Sequence, residues 1–220
     1  MQLFITSADP VECAQALDDK RLNKIITESA QVICTVLAGD GFKGLPFKPT
    51  HDHHPIVLWA GETNANLYWT CRYHIALHDE WLYRGGRTHA SRIDQAILSN
   101  ISSRNAPKAF INAAKNESLE IDFTWVDDVF MAYQMYLTAR WMNDRVLPKW
   151  KRRNQPEWFN DHGFSMDYIN RAKHLIGKKK NGIIPCPRCG NELEYKDENQ
   201  FKCIGKDIWY PCLLWTKITK

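Results

Sequence analysis

Apolar positions along this chain recur mostly at helical spacing, and short alternating runs appear only near the C-terminal end. Gln2-Leu3-Phe4-Ile5-Thr6 is a short apolar stretch, read as a strand or an extended arm. Asp9-Pro10 then opens a helix, with Asp9 as cap, Pro10 at the first position and Glu12 placed for a capping box. Helical spacing continues to Leu37, with Gly39 available just past the end, and Asp18-Asp19 divides the stretch into two helices. A Gly/Pro/Lys loop covers 39–49. His54-Pro55 opens the next helical region, and Asn64 to Tyr83 reads as a long helix turning Leu67, Cys71, Ile75 and Leu82 inward until Gly85-Gly86 stops it. Shorter helices are expected over Arg92–Ser99 and Pro107–Lys115. An aromatic helix, rich in Phe130, Tyr133, Tyr136 and Trp141, is expected from Trp125 to Val146, and around Tyr133, Tyr136 and Trp141 it reads as core rather than a base-stacking platform. Pro148 ends it, Lys149-Trp150-Lys151-Arg152-Arg153 follows, and a last helix is expected over Ser165–Ile176. Strands are expected at Glu192–Tyr195 and Gln200–Lys202. The fold class is mainly α: a compact helical body over 1–177, a Lys/Gly linker at 178–184 and a small β unit over 185–220.

The 220 residues are 44% hydrophobic and 25% charged, which excludes collagen-like, fibrous and disordered classes. No apolar run approaches the roughly 18 residues of a membrane span, and MQLFITSADP lacks the basic and apolar regions of a secretory signal. A soluble, cytoplasmic protein is the expectation. The net charge of +4 hides a polarity: residues 140–180 carry 11 Lys and Arg against 4 Asp and Glu, whereas 1–139 carry 12 against 16. A basic segment of this kind suits a polyanion such as DNA, and it equally suits a solvated surface.

Seven cysteines divide unevenly. Cys13, Cys34 and Cys71 lie singly in helical stretches and read as small buried hydrophobes. Cys186, Cys189, Cys203 and Cys212 crowd the tail, where Cys186-Pro187-Arg188-Cys189-Gly190 can turn two thiolates towards one ion. Four thiolates suit a closed, structural zinc site. This tail resembles the C-terminal zinc ribbons of bacterial type I topoisomerases, through that knuckle together with Phe201-Lys202-Cys203 and Tyr210-Pro211-Cys212. The resemblance implies contact with single-stranded DNA, and Trp209, Tyr210 and Trp215 are aromatics that could stack on bases or fill the ribbon's own core.

On a helix through 19–37, Lys20, Lys24 and Glu28 share one face, flanked by Arg21 and Gln31. A Lys24–Glu28 ion pair on a solvated face would explain the stripe without function. His51, His53 and His54 cluster next, with no matching set nearby to complete a metal site; His54 is instead placed to cap a helix or contact an anion.

Together these segments resemble the pyrimidine dimer DNA glycosylase family, the phage endonuclease V-like proteins. The resemblance is carried by Ala16-Leu17-Asp18-Asp19-Lys20-Arg21-Leu22 with Lys24, Glu28 and Gln31. His54-Pro55 with Leu58-Trp59, and Glu80-Trp81-Leu82-Tyr83-Arg84-Gly85, complete it over about residues 1–90, and Pro156-Glu157-Trp158 extends it more weakly. It implies an all-α body that flips a nucleotide out of duplex DNA, an amine that attacks C1′, and strand cleavage by β-elimination. Glu28 matches the catalytic glutamate, and Arg21, Lys24, His54, Arg84, Lys149, Lys151, Arg152 and Arg153 become candidate DNA contacts. The family's amine is exposed by removal of the initiator Met. Here residue 2 is Gln, so the candidate amines are those of Met1, Lys20 and Lys24. The expected function is a glycosylase or AP lyase acting on a damaged or modified base. The alternatives are a non-catalytic DNA-binding module and a water-using glycosylase.

Overall fold

A computed structural model describes residues 1–99, 101, 106–119, 121–144, 146, 148–161, 193–197, 200–203 and 208–211. The body is mainly helical, as its spacing predicts. Its elements are α1 (Pro10–Ala16), α2 (Asp19–Gly39), α3 (Pro55–Glu62), α4 (Asn64–Tyr83), α5 (Gln95–Ser99), α6 (Val129–Asn143) and α7 (Glu157–Asp161). Between α5 and α6, a two-residue antiparallel pair joins β1 (Lys115–Asn116) to β2 (Ile121–Asp122). Strands β3 (Leu193–Asp197), β4 (Gln200–Cys203) and β5 (Ile208–Pro211) form an antiparallel sheet in that order. The expected linker and the expected helix over Ser165–Ile176 lie outside the described residues. No helix among the described residues is long and apolar enough to cross a membrane.

The first residues form an arm, not a strand. Leu3, Phe4 and Ile5 are buried, and Phe4 takes φ +50°, which no regular strand tolerates. They enter a core made by α1–α4 and α6 that includes Leu17, Leu22, Ile25, Trp59, Tyr73 and Tyr136. Asp9 caps α1 by accepting from Val11 N at 2.7 Å. The expected capping box is completed through Ser7: its hydroxyl bonds Glu12 and accepts from Asp9 N. Asp18 divides α1 from α2 without capping with its side chain, because its carboxylate serves Arg21 and the Trp141 indole (Nε1–Oδ1, 2.7 Å).

Several boundaries differ from expectation. Helix α2 includes Gly39, and Gly41, at φ +88°, takes the left-handed position beyond it. Leu82 is exposed, since the inward face of α4 carries Tyr73, Leu77, His74, His78 and Glu80. Only Gln95–Ser99 of the 92–99 stretch is helical. Pro107–Lys115 is extended because other elements satisfy its main chain: Asn66 Oδ1 accepts from Lys108 N, Trp59 donates to Ala109 O, and Tyr133 Oη accepts from Ala113 N. Tertiary partners here override local helical spacing. Helix α6 begins at Val129, four positions later than expected, behind Asp128, whose side chain accepts from Phe130 N and Met131 N. Tyr133, Tyr136 and Trp141 are core, as read.

Trp141 also anchors the basic segment. Its ring lies 5.0 Å from Trp150, 5.7 Å from Trp158 and 4.9 Å from Phe159. Residues 149–159 are thereby folded onto the end of α6, across the start of α2.

Candidate functional site

Helix α2 carries the site, and three other segments converge on it. Glu28, with a side chain 13% exposed, pairs with Lys24 (Nζ–Oε1, 3.1 Å) as helical spacing predicts. Its other oxygen accepts from the main-chain nitrogen of Gln2 at 2.7 Å. The start of the chain is thus held against the carboxylate, while Leu3–Ile5 fix it from the core side. Gln2 Nε2 donates to Ala113 O, and Gln2 Oε1 is buried with no partner.

His54 approaches from the third side. Its Nδ1 accepts from Ile56 N at 3.2 Å, capping α3 as expected. Thr35 ties the preceding chain to α2, its hydroxyl donating to Thr50 O and accepting from Thr50 N. Burial lowers the His54 pKa, the amino terminus and His51 lower it further, and Glu28 opposes them. A neutral imidazole, an acid and the chain's amino terminus therefore share one electrostatic neighbourhood.

The other candidate cations separate into two groups. Lys20 is exposed and pairs with Asp144 at 3.2 Å, not with Glu28. Arg21 is buried between Asp18 (3.0 Å) and Asp144 (2.9 Å). Arg84 is buried too, bonding Glu80, Asp19 and the carbonyls of Leu17 and Gln15. Arg153 makes a two-pronged bond to Glu80 at 2.7 and 2.8 Å and lies over the Tyr83 ring. Arg21, Arg84 and Arg153 fasten elements together, and their donors point at carboxylates instead of solvent. Arg152, at φ +62°, exchanges bonds with the Tyr83 main chain and hydroxyl. Lys149, Lys151 and Arg152 are exposed. Asp19 N donates to Lys149 O, and Lys151 N donates to Asp19, so these lysines stand at the α2 N-terminus. Lys149, Lys151, Lys20 and Lys24 form a cationic strip leading along α2 to Glu28.

A cleft of about 940 Å³ lies elsewhere, between α1, α6 and residues 153–158. Its lining includes the carboxylates of Glu12, Asp128 and Glu157 and takes nothing from α2. That lining suits a phosphate backbone poorly.

Among the described residues no three His, Cys, Asp or Glu side chains gather where a cation could sit. Cys186, Cys189 and Cys212 of the expected zinc site lie outside the described residues. Cys203 ends β4 opposite Ile208, while Pro211 pairs with Gln200 at the other end of that strand. Cys13 and Cys71 are buried, with thiols pushed up to about 12 by desolvation, and Cys34 is buried as well.

Two features had no counterpart in the sequence reading. One is the contact of Gln2 with Glu28, which only long-range packing creates. The other is a histidine set, His74, His78 and His89, beside α2; its signal was the His pair four residues apart on α4 followed by a basic, Gly-containing turn.

Residues 1–94 match the family model of pyrimidine dimer DNA glycosylases. The match spans α1 to α4 and ends just before α5. No curated protein and no solved structure matches the chain.

Proposed function

We propose that the helical body is a DNA glycosylase acting on a damaged base in duplex DNA, with the amino group of Met1 as nucleophile and Glu28 as the acid that serves it. The observation that carries this reading is the 2.7 Å bond from the Gln2 nitrogen to Glu28, at the end of the cationic strip. The match of residues 1–94 to a family of this activity supports it. The amine forms a bond to C1′, and the base departs with the glycosidic electron pair and is protonated. Opening of the sugar ring then gives a protonated imine. Loss of a C2′ proton expels the 3′-phosphate and cuts the strand. Glu28 stabilises the cationic sugar and relays these protons. Lys20, Lys24, Lys149, Lys151 and Arg152 bind phosphates. Lys24, also on Glu28, is the second candidate amine.

Borohydride trapping on duplexes carrying a cyclobutane dimer or an abasic site tests this. A covalent adduct mapping to the first peptide is expected, and Glu28→Gln should abolish it while duplex affinity changes by less than about threefold. An adduct on Lys24 would move the nucleophile. No adduct on either duplex, with tight binding, would leave a water-using glycosylase or a binding module.

The four tail cysteines are proposed to hold one structural zinc, which would order the strands and leave no open position for chemistry. Single-stranded DNA is the partner this tail suits through its resemblance. Elemental analysis of the full chain should find about one zinc per chain, lost in Cys186→Ser/Cys189→Ser.

A further inference from the structure

Gly85 and Gly86 end α4, and the following loop is held in place with unusual thoroughness for an exposed segment. Three imidazoles accept hydrogen bonds from alternate main-chain N–H groups of this one loop. His78 Nε2 accepts from His89 N at 3.1 Å, His89 Nδ1 from Ser91 N at 3.1 Å, and His74 Nε2 from Ile93 N at 3.3 Å. Trp81 closes the near end, donating from Nε1 to Arg87 O at 2.8 Å and packing edge-on against His89. Its ring covers Gly86 so closely that a Cβ there would lie 2.2 Å from Nε1. Ile93 anchors the far end in the core with Leu37 and Leu67.

The loop also docks on α2. His89 Nε2 meets Asn23 Oδ1 at 3.0 Å, the Ser91 and Thr27 hydroxyls meet at 2.8 Å, and His74 Nδ1 meets Ser29 Oγ at 2.9 Å. Asn23 and Thr27 each precede, by one residue, Lys24 and Glu28. The loop therefore runs along the flank of the face that carries the candidate acid. Arg87 and Arg92 are both exposed on it, and neither has a carboxylate partner among the described residues. That sets them apart from Arg21, Arg84 and Arg153.

We propose that residues 86–93 form a preorganised arm that grips the phosphate backbone of duplex DNA beside Glu28, with Arg87 and Arg92 as its phosphate contacts and His74 and His78 as positioning residues. It rests on the reading that the body binds duplex DNA. A rigid main chain carrying two guanidinium groups that no carboxylate among the described residues engages loses little ordering entropy when phosphates bind, which is what a fixed loop contributes over a flexible basic tail. The lysine strip leads along α2 to Glu28, and the arm follows one flank of that same face through Asn23 and Thr27.

The test is the salt dependence of binding of the full chain to a short labelled, undamaged duplex between roughly 50 and 200 mM salt. Each lost phosphate contact lowers the slope of log K against log salt by about 0.9. Arg87→Gln/Arg92→Gln should therefore flatten the slope by roughly two units with an unchanged thermal midpoint. His78→Leu keeps both arginines; it should speed amide exchange at His89 and weaken binding several-fold. His78→Gln, which restores an acceptor, should rescue both. A double variant that folds and keeps the wild-type slope overturns the arm. A wild-type chain without salt-dependent duplex binding overturns duplex recognition itself, and the arm with it. His78→Leu and His78→Gln that bind alike would remove the positioning role.

Discussion

His74 shows how much a single buried residue contributes. Its ring joins Ser29 of α2 to Ile93 of the arm, and both nitrogens are engaged. Burial first, then the nearby His78 and His89, lower its pKa from 6.5 to about 4. A folded-state pKa below the unfolded one favours the neutral ring. The associated stability is therefore whole above about 6.5 and is lost as pH falls towards 4, amounting to about 3 kcal/mol. His78, lowered by burial and Arg92 against an opposing Asp79, and His89, lowered by burial, act in the same direction. Urea midpoints should fall steeply as pH drops from about 7 to about 4.5, with exchange at His89, Ser91 and Ile93 rising first. His74→Gln should flatten that dependence.

At the scale of elements, Glu80 is the joint between α4, α1–α2 and the basic segment. Burial alone would raise its carboxyl; bonds from Arg153 and Arg84 outweigh that and hold it below its ordinary value. Glu80→Gln removes the buried charge shared by Arg84 and Arg153 and leaves Arg84 the part-exposed Asp19 as its carboxylate, so it should cost about 3 kcal/mol, read from chemical denaturation. Gly86→Ala should cost about 1–3 kcal/mol, because the added methyl meets the Trp81 ring. Local chemistry made much of this scale legible in the sequence. The Asp9 and His54 boundaries of α1 and α3 follow from capping and proline rules, the division at Asp18-Asp19 from the break in spacing, and Asn64–Tyr83 from spacing and the glycines after it. Pro107–Lys115 was not legible, because the groups that hold it extended come from Trp59, Asn66 and Tyr133. The same cause hid half of the site. Lys24 and Glu28 are one turn apart on a helix and could be paired in advance; Gln2 meets Glu28 only through the core. Arg21 and Arg84 resemble surface cations in sequence, and their carboxylate partners at Asp144 and Asp19 are visible only after folding.

At the scale of the whole molecule, cations serve two purposes. Arg21, Arg84 and Arg153 bind the body together from within, and Lys20, Lys24, Lys149 and Lys151 face outward in a line along α2. Replacing Lys149 and Lys151 by Gln should weaken duplex binding and flatten its salt slope by about two units with little loss of stability. Glu80→Gln should show the reverse pattern, which a paired binding and denaturation experiment would separate.

The buried opening of the chain has a practical outcome for anyone producing this protein. Leu3, Phe4 and Ile5 cannot be drawn out without breaking the core, so any peptide fused ahead of Met1 emerges directly alongside Glu28. On the proposed mechanism, an amino-terminal affinity tag would convert the nucleophilic amine into an amide beside Glu28. Preparations tagged at that end should be inert in borohydride trapping, and cleaving the tag without leaving residues behind should restore the adduct. Carboxyl-terminal tags should be harmless to it.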